Sequence, residues 1–208
     1  MAELSFIPSI VSALSGLAGV WFGGHLTSKR EAQKEQLRTK ADATYLAILV
    51  GAHLDGFVDR CIAVSFDDGT EEGRPAGDDG IGHAATERTP VFDPLSLNVE
   101  WKSLPSDLMY GILNLPYKVE QLNRFLAPIS EDDYPDYSEY FWERQVNFAQ
   151  LGLDVLNLNS RLRNHAGLPA PDVIPRQRSR QEILEERVFK VGLRLAPYRT
   201  DSDSTQEQ

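Results

Sequence analysis

The chain has 208 residues, a formal net charge of -10 from 31 acidic and 21 basic side chains, and one cysteine. That length holds one domain with its own core and a short appendage, and the acidic excess excludes nucleic acid as a partner, because phosphate binding takes concentrated Lys and Arg. The lone Cys61 excludes an internal disulfide, fits a reducing compartment and joins no Cys and His cluster at ligand spacing, so neither a metal nor any other cofactor is expected.

From Leu4 to Leu26 there is no Asp, Glu, Lys or Arg. Those 23 residues span about 35 Å as a helix, enough for a hydrocarbon core of about 30 Å. A cleaved signal peptide needs positive charge ahead of its apolar region, whereas Glu3 is the only charged side chain there. A soluble core helix would show charges on one face within two turns, and an interfacial helix would need a polar face richer than scattered serines. The expectation is a transmembrane anchor over residues 1–26, in contact with the lipid bilayer of the inner (plasma) membrane. Trp21 and Phe22 lie at the membrane interface, next to the first bases, Lys29 and Arg30. Lys34, Arg38 and Lys40 add to the basic excess on the carboxyl side, so a single-pass topology puts the rest of the chain in the cytoplasm. Ser15, Gly19 and Gly23 recur every fourth residue, with Ser12 and Gly16 on an adjacent strip. Helices approach closely along such a face, so a homo-oligomer through the anchor is expected, although Gly and Ser are also common in spanning helices generally.

Residues 27–43 are charged and favour helix, a solvated stalk continuing the anchor. A helical domain follows over 44–196. Leu46, Val50, Leu54, Phe57, Cys61 and Val64 step by three or four and predict the core face of a long helix. Residues 67–90 turn rich in Gly and acid with almost no large apolar side chain, which predicts a flexible acidic loop. Its carboxylates lack the alternation and terminal Glu of an EF-hand, so calcium is not expected. Phe92, Leu95, Leu97, Val99 and Trp101 partly alternate, as in an extended segment laid over helices. Pro105 and Pro116 can each open a short helix, the second ended by Pro128. The most regular helix is expected from about Tyr137 to His165, with Phe141, Val146 or Phe148, Leu151, Val155, Leu158 and Leu162 as its apolar stripe and Gly167 and Pro169 as its stop. Ser179 and Glu182 have capping-box spacing for a last helix that docks through Ile183, Val188, Val191 and Leu195, with Leu184 and Phe189 widening the stripe. It ends by Pro197, leaving 197–208 as a disordered tail. The fold class is therefore mainly α: one amino-terminal transmembrane helix, then a cytoplasmic helical bundle with a long acidic, Gly-rich loop.

Chemistry is sparse. The four histidines have no second His or acid at metal-ligand spacing, and phosphate-loop, dinucleotide and nucleophile-elbow patterns are missing. Asp55 and Asp59 share a helix face near Cys61, which would be the only place to build a nucleophile and its base; the simpler reading is a core face with a solvated edge. Tyr134, Tyr137, Tyr140 and Trp142 form an aromatic segment that either packs inside the domain or meets a protein partner.

The stretches "FDPLSLNVEWKSLP", "ILNLP" and "LRNHAGLP" complete a layout that resembles a set of hypothetical bacterial proteins with an amino-terminal anchor, a charged helix, an acidic variable loop and similar Leu-Pro junctions. The resemblance implies a single-pass, membrane-anchored helical protein and supplies no activity and no functional residues. The function expected is protein-protein interaction with a cytoplasmic partner and without catalysis. An oligomerising effector that permeabilises the bilayer when triggered is the alternative, and an enzyme around Asp55, Asp59 and Cys61 the second.

Overall fold

The computed structural model describes the backbone of residues 7–133, 138–170 and 177–205 and the side chains of 29–131, 133, 138–170 and 177–196. Among the described residues there are five α-helices and one two-stranded ribbon, so the protein is mainly α. In chain order they are α1 (Ile7–Phe66), β1 (Thr70–Glu71), β2 (Arg74–Pro75), α2 (Ser106–Leu113), α3 (Leu115–Asp132), α4 (Ser138–His165) and α5 (Arg180–Thr205). The chain divides into two units, Met1–Asp42 and Ala43–Gln208.

In the first unit the backbone is helical from Ile7, and residues 29–41, Lys29 and Arg30 among them, are exposed on every face. Among the described residues no helix is long and apolar enough to cross a membrane. The side chains of the uncharged run, including Ser12, Ser15, Gly16, Gly19, Trp21, Phe22 and Gly23, lie outside the described residues.

The second unit is built on the α1 stripe. Leu46, Val50, Leu54, Phe57, Cys61 and Val64 are all at most 2% exposed, and burial stabilises each large side chain by roughly 1.5–3 kcal/mol. Phe148, Leu151, Val155, Leu158 and Leu162 of α4 pack on them, joined by Leu108 and Ile112 of α2 and Leu115, Val119 and Leu126 of α3. The pairs Asn159 with Asp55 and Gln145 with the Asp67 carbonyl show α4 running against α1. Arg180 meets Asp55 and Asp59 while Arg187 meets the Ser65 carbonyl, so α5 runs with α1. The three helices meet at Gly152, where an added Cβ would sit 2.9 Å from Leu184 Cδ1 and 3.1 Å from the Cys61 Cβ. A side chain there would push α4 off both neighbours.

The helix boundaries follow local chemistry. Ser179 and Glu182 form a reciprocal cap, the Glu182 amide donating to Ser179 Oγ (3.1 Å) and the Ser179 amide to the Glu182 carboxylate (2.9 Å). At the end of α4 the Leu168 amide returns to the Arg163 carbonyl and the Gly167 amide to that of Asn164. Two boundaries differ from expectation, because α3 passes through Pro128 to Asp132 and α5 through Pro197 to Thr205. A proline removes one N–H and so frees the carbonyl four residues back. Here those are on Arg124 and Leu193, both on exposed residues where water can take up the freed group. The expected tail over 197–208 is thus helical as far as Thr205. The docking face of α5 is also shifted: Leu184, Val191 and Leu195 are buried, Val188 and Ile183 only partly, and Phe189 is exposed. The segment after residue 90 does lie over the helices, with Phe92 edge-on to Phe57 at 6.4 Å. Two single-turn 3-10 helices interrupt its extended course, Pro94–Ser96 and Trp101–Ser103.

Candidate functional site

The expected flexible loop starts at a fixed point. Asp67 continues the α1 stripe one step past Val64, and its carboxylate is buried in the bundle. Five donors converge on it: the amides of Gly69 (3.1 Å), Thr86 (3.3 Å) and Glu87 (3.0 Å), the Thr86 hydroxyl (2.9 Å), and Nη1 of Arg144 (2.5 Å). Arg144, on α4, has a side chain only 2% exposed and donates its other terminal nitrogen to the Glu87 carbonyl. Burial pushes the Asp67 carboxyl up, but the Glu87 and Gly69 amides, the Thr86 hydroxyl and the Arg144 charge outweigh it and hold the group below the usual carboxylate range. Gln145 adds a bond from its amide nitrogen to the Asp67 carbonyl (2.7 Å).

These contacts bring residues 67 and 87 together, and the chain between them folds back on itself. β1 and β2 pair antiparallel, Thr70 opposite Pro75 and Glu71 opposite Arg74. Gly69 is the hub, its carbonyl accepting from the amides of Ala76 and Ala84. It has a φ of +73°, and a Cβ there would lie 2.3 Å from the Phe141 ring and 2.8 Å from the His83 Cβ. No other residue fits this crossing. The loop is therefore clamped at its base, a feature the expectation of a flexible acidic loop over 67–90 did not include. That expectation weighed only apolar burial, and the order here comes from hydrogen bonds to a buried carboxylate.

Between this clamped loop, the end of α1 and α5 lies an open cleft of about 350 Å³. Phe66, Thr70, His83 and Phe141 line it with Trp142 and Gln145. Two arginines of α5, Arg187 and Arg194, complete the wall, facing one acid, Asp68. Arg187 is held in place from three sides: Nε donates to the Ser65 carbonyl (2.8 Å), Nη2 to Gln145 Oε1 (2.9 Å), and the guanidinium lies 4.4 Å from the Phe66 ring centroid. Burial, and after it the charge of Arg194, push Arg187 below the usual guanidinium range. Asp68 is engaged by Thr70, whose amide and hydroxyl both donate to its Oδ1. His83 stands edge-on to Phe141, and its buried Nδ1 has no hydrogen-bond partner.

The residues singled out from sequence are distributed differently. Tyr134 and Tyr137 lie outside the described residues. Tyr140 is half-buried, packs against the core and stands edge-on to Phe141 at 5.1 Å, while Trp142 is a half-buried wall of the cleft. The Asp55, Asp59 and Cys61 group is split. Cys61 is fully buried, and burial pushes its thiol far above the ordinary range, the opposite of an activated nucleophile. Asp55 and Asp59 point to the other edge of α1, where Arg180 spans them, Nε to Asp59 at 2.7 Å and Nη1 to Asp55 at 3.0 Å. Their role is to dock α5. Among the described residues no three His, Cys, Asp or Glu side chains come together to hold a metal ion.

Sequence reasoning missed Arg144, Gln145 and Arg187. A signal for the first was present: Arg144 is three residues after Phe141 and four before Phe148, a charged residue on an apolar stripe. What the assembled site can do chemically is attract and hold a negative group; it presents no activated nucleophile. No known protein family, no curated protein and no solved structure matches the chain.

Proposed function

We propose that this protein is a membrane-tethered helical module that acts by holding a cytoplasmic partner rather than by catalysis. In this reading residues 1–26 are the bilayer anchor at the inner membrane, residues 29–41 are a spacer, and the bundle with its clamped loop faces the cytoplasm. One observation carries it: α1 begins within the run of 23 uncharged residues and continues through residues 29–41, which are exposed on every face. A helical stretch exposed all round is not held by core packing and suits a solvated spacer. The bases of that spacer, concentrated next to the uncharged run, support the cytoplasmic orientation. The burial of Cys61 and the capture of Asp55 and Asp59 by Arg180 weigh against the enzyme alternative.

The test is fractionation of cells expressing the full chain and a version starting at Thr27, with alkaline carbonate washing and a carboxyl-terminal tag. The reading expects the full chain to resist extraction and the shortened one to be soluble. Release of both into the soluble fraction would remove the anchor, the orientation and the interaction at the membrane together.

A further inference from the structure

We propose that the cleft between the clamped loop and α5 is a binding site for a small oxyanion, a phosphate monoester or a carboxylate, gripped by Arg187 and Arg194. The cleft holds two guanidinium groups against the single carboxylate of Asp68, in a chain whose overall charge is -10. A local excess of positive charge against so acidic a background is a site the fold has assembled rather than a sample of its surface.

The two arginines are differently prepared. Arg187 is fixed by Ser65, Gln145 and the Phe66 ring, so its guanidinium plane is set before any ligand arrives, and those bonds use Nε and Nη2, leaving Nη1 for a ligand. A pre-oriented fork is the geometry that recognises planar or tetrahedral oxyanions. Arg194 stands seven residues further along the same helix, about 10 Å at 1.5 Å per residue, and makes no ion pair or hydrogen bond among the described residues. It is exposed and can swing onto a bound anion. The two positive charges disfavour each other while the site is empty, and an anion between them relieves that repulsion. Asp68 offsets one of the two guanidinium charges and leaves the cleft with a net positive charge. His83 stands on the same wall, and its buried Nδ1 has no hydrogen-bond partner among the described residues. The volume of about 350 Å³ lies at the small end of the range for small-molecule sites, and the walls of Phe66, Phe141 and Trp142 favour a compact unsaturated body behind the anionic group.

The experiment is isothermal titration of the full chain in neutral detergent with phenyl phosphate, benzoate and the uncharged benzyl alcohol. At least one anion is expected to bind, more tightly than benzyl alcohol, with its Kd raised about tenfold in Arg194→Gln, the loss of one charged hydrogen bond. The tighter of the two anions identifies the source as phosphate or carboxylate. Arg194 is exposed and bonds to no other side chain among the described residues, so this variant is expected to keep the fold, and circular dichroism checks it. Arg187→Lys, which keeps the charge but loses the fork, is expected to weaken binding as well. Equal binding of benzyl alcohol, an unchanged Kd in Arg194→Gln, or no heat from either anion at 10 mM (about 2.7 kcal/mol of binding) would each overturn the proposal.

Discussion

Substituting Asp67→Asn keeps the shape of the side chain and removes the charge opposite Arg144. The two side chains are 0% and 2% exposed, so water cannot replace what is lost. Breaking one side of a buried pair costs about 3–5 kcal/mol, because the other charge stays desolvated and unpaired. The amide group also turns an N–H toward donors, and each of the Gly69, Thr86 and Glu87 amides that loses its acceptor adds to the penalty. In a domain of this size a kilocalorie corresponds to about 2–4 °C of melting temperature, so Asp67→Asn should melt roughly 10 °C lower. The assay is thermal unfolding of the full chain followed by circular dichroism, run beside Arg144→Met and the double variant. Removing both partners leaves no uncompensated charge, so the double variant should be less destabilised than the sum of the singles by about 2 kcal/mol or more. Strict additivity, or an Asp67→Asn protein within about 1 °C of wild type, would refute the claim that this pair holds the loop to the bundle.

Three further outcomes follow from the same geometry. The folded-state pKa of Asp67 is depressed, so its contribution is fully present above the unfolded carboxylate value of about 3.9 and is lost as pH falls below it; urea midpoints between pH 7 and pH 3 should decline less in Asp67→Asn than in wild type. Gly69→Ala should destabilise by about 1–3 kcal/mol from the left-handed backbone, beyond which the methyl group meets the Phe141 ring, so limited proteolysis should newly cut between residues 70 and 85; Phe141→Leu added to it should restore part of the protection. Cys61 should be inert to a thiol-reactive disulfide reagent in the native protein and react at once in denaturant, while rapid native labelling would show that α1 does not bury it.

The helical architecture was legible because its signal is periodic. Six apolar positions on α1 stepped at three or four, and all six are buried; the Ser179 and Glu182 cap and the α4 stripe followed equally local rules. What escaped was anything decided at long range. Asp67 and Arg144 are 77 positions apart, and each looks ordinary in its own neighbourhood, one the first acid of an acidic stretch and the other a helix arginine. Only the positions of both on the apolar stripes hinted that two buried charges had to find each other. The prolines misled for the opposite reason. Pro128 and Pro197 are reliable breakers where a carbonyl would be buried, and the exposure of the residues four positions back is a tertiary fact. The aromatic segment pointed to neither arginine of the cleft: Trp142 borders it, but Arg187 and Arg194, which give the cleft its charge, lie 45 and 52 positions further along the chain.

The clamp at residues 67 and 87 also bears on how such a protein can change over generations. The chain leaves the bundle and returns to it through one doorway, bolted by Arg144 from inside. Beyond Gly69 and His83, which pack on α4, the exposed turn is held only by its own ribbon, and lengthening a closed excursion twofold costs only about 0.6 kcal/mol. New sequence at the exposed turn around Glu72 and Gly73 can therefore be tried out, kept or discarded while the bundle stays as it is. Such changes leave the Asp67 and Arg144 bolt untouched as long as they stay at the turn, clear of Gly69 and His83.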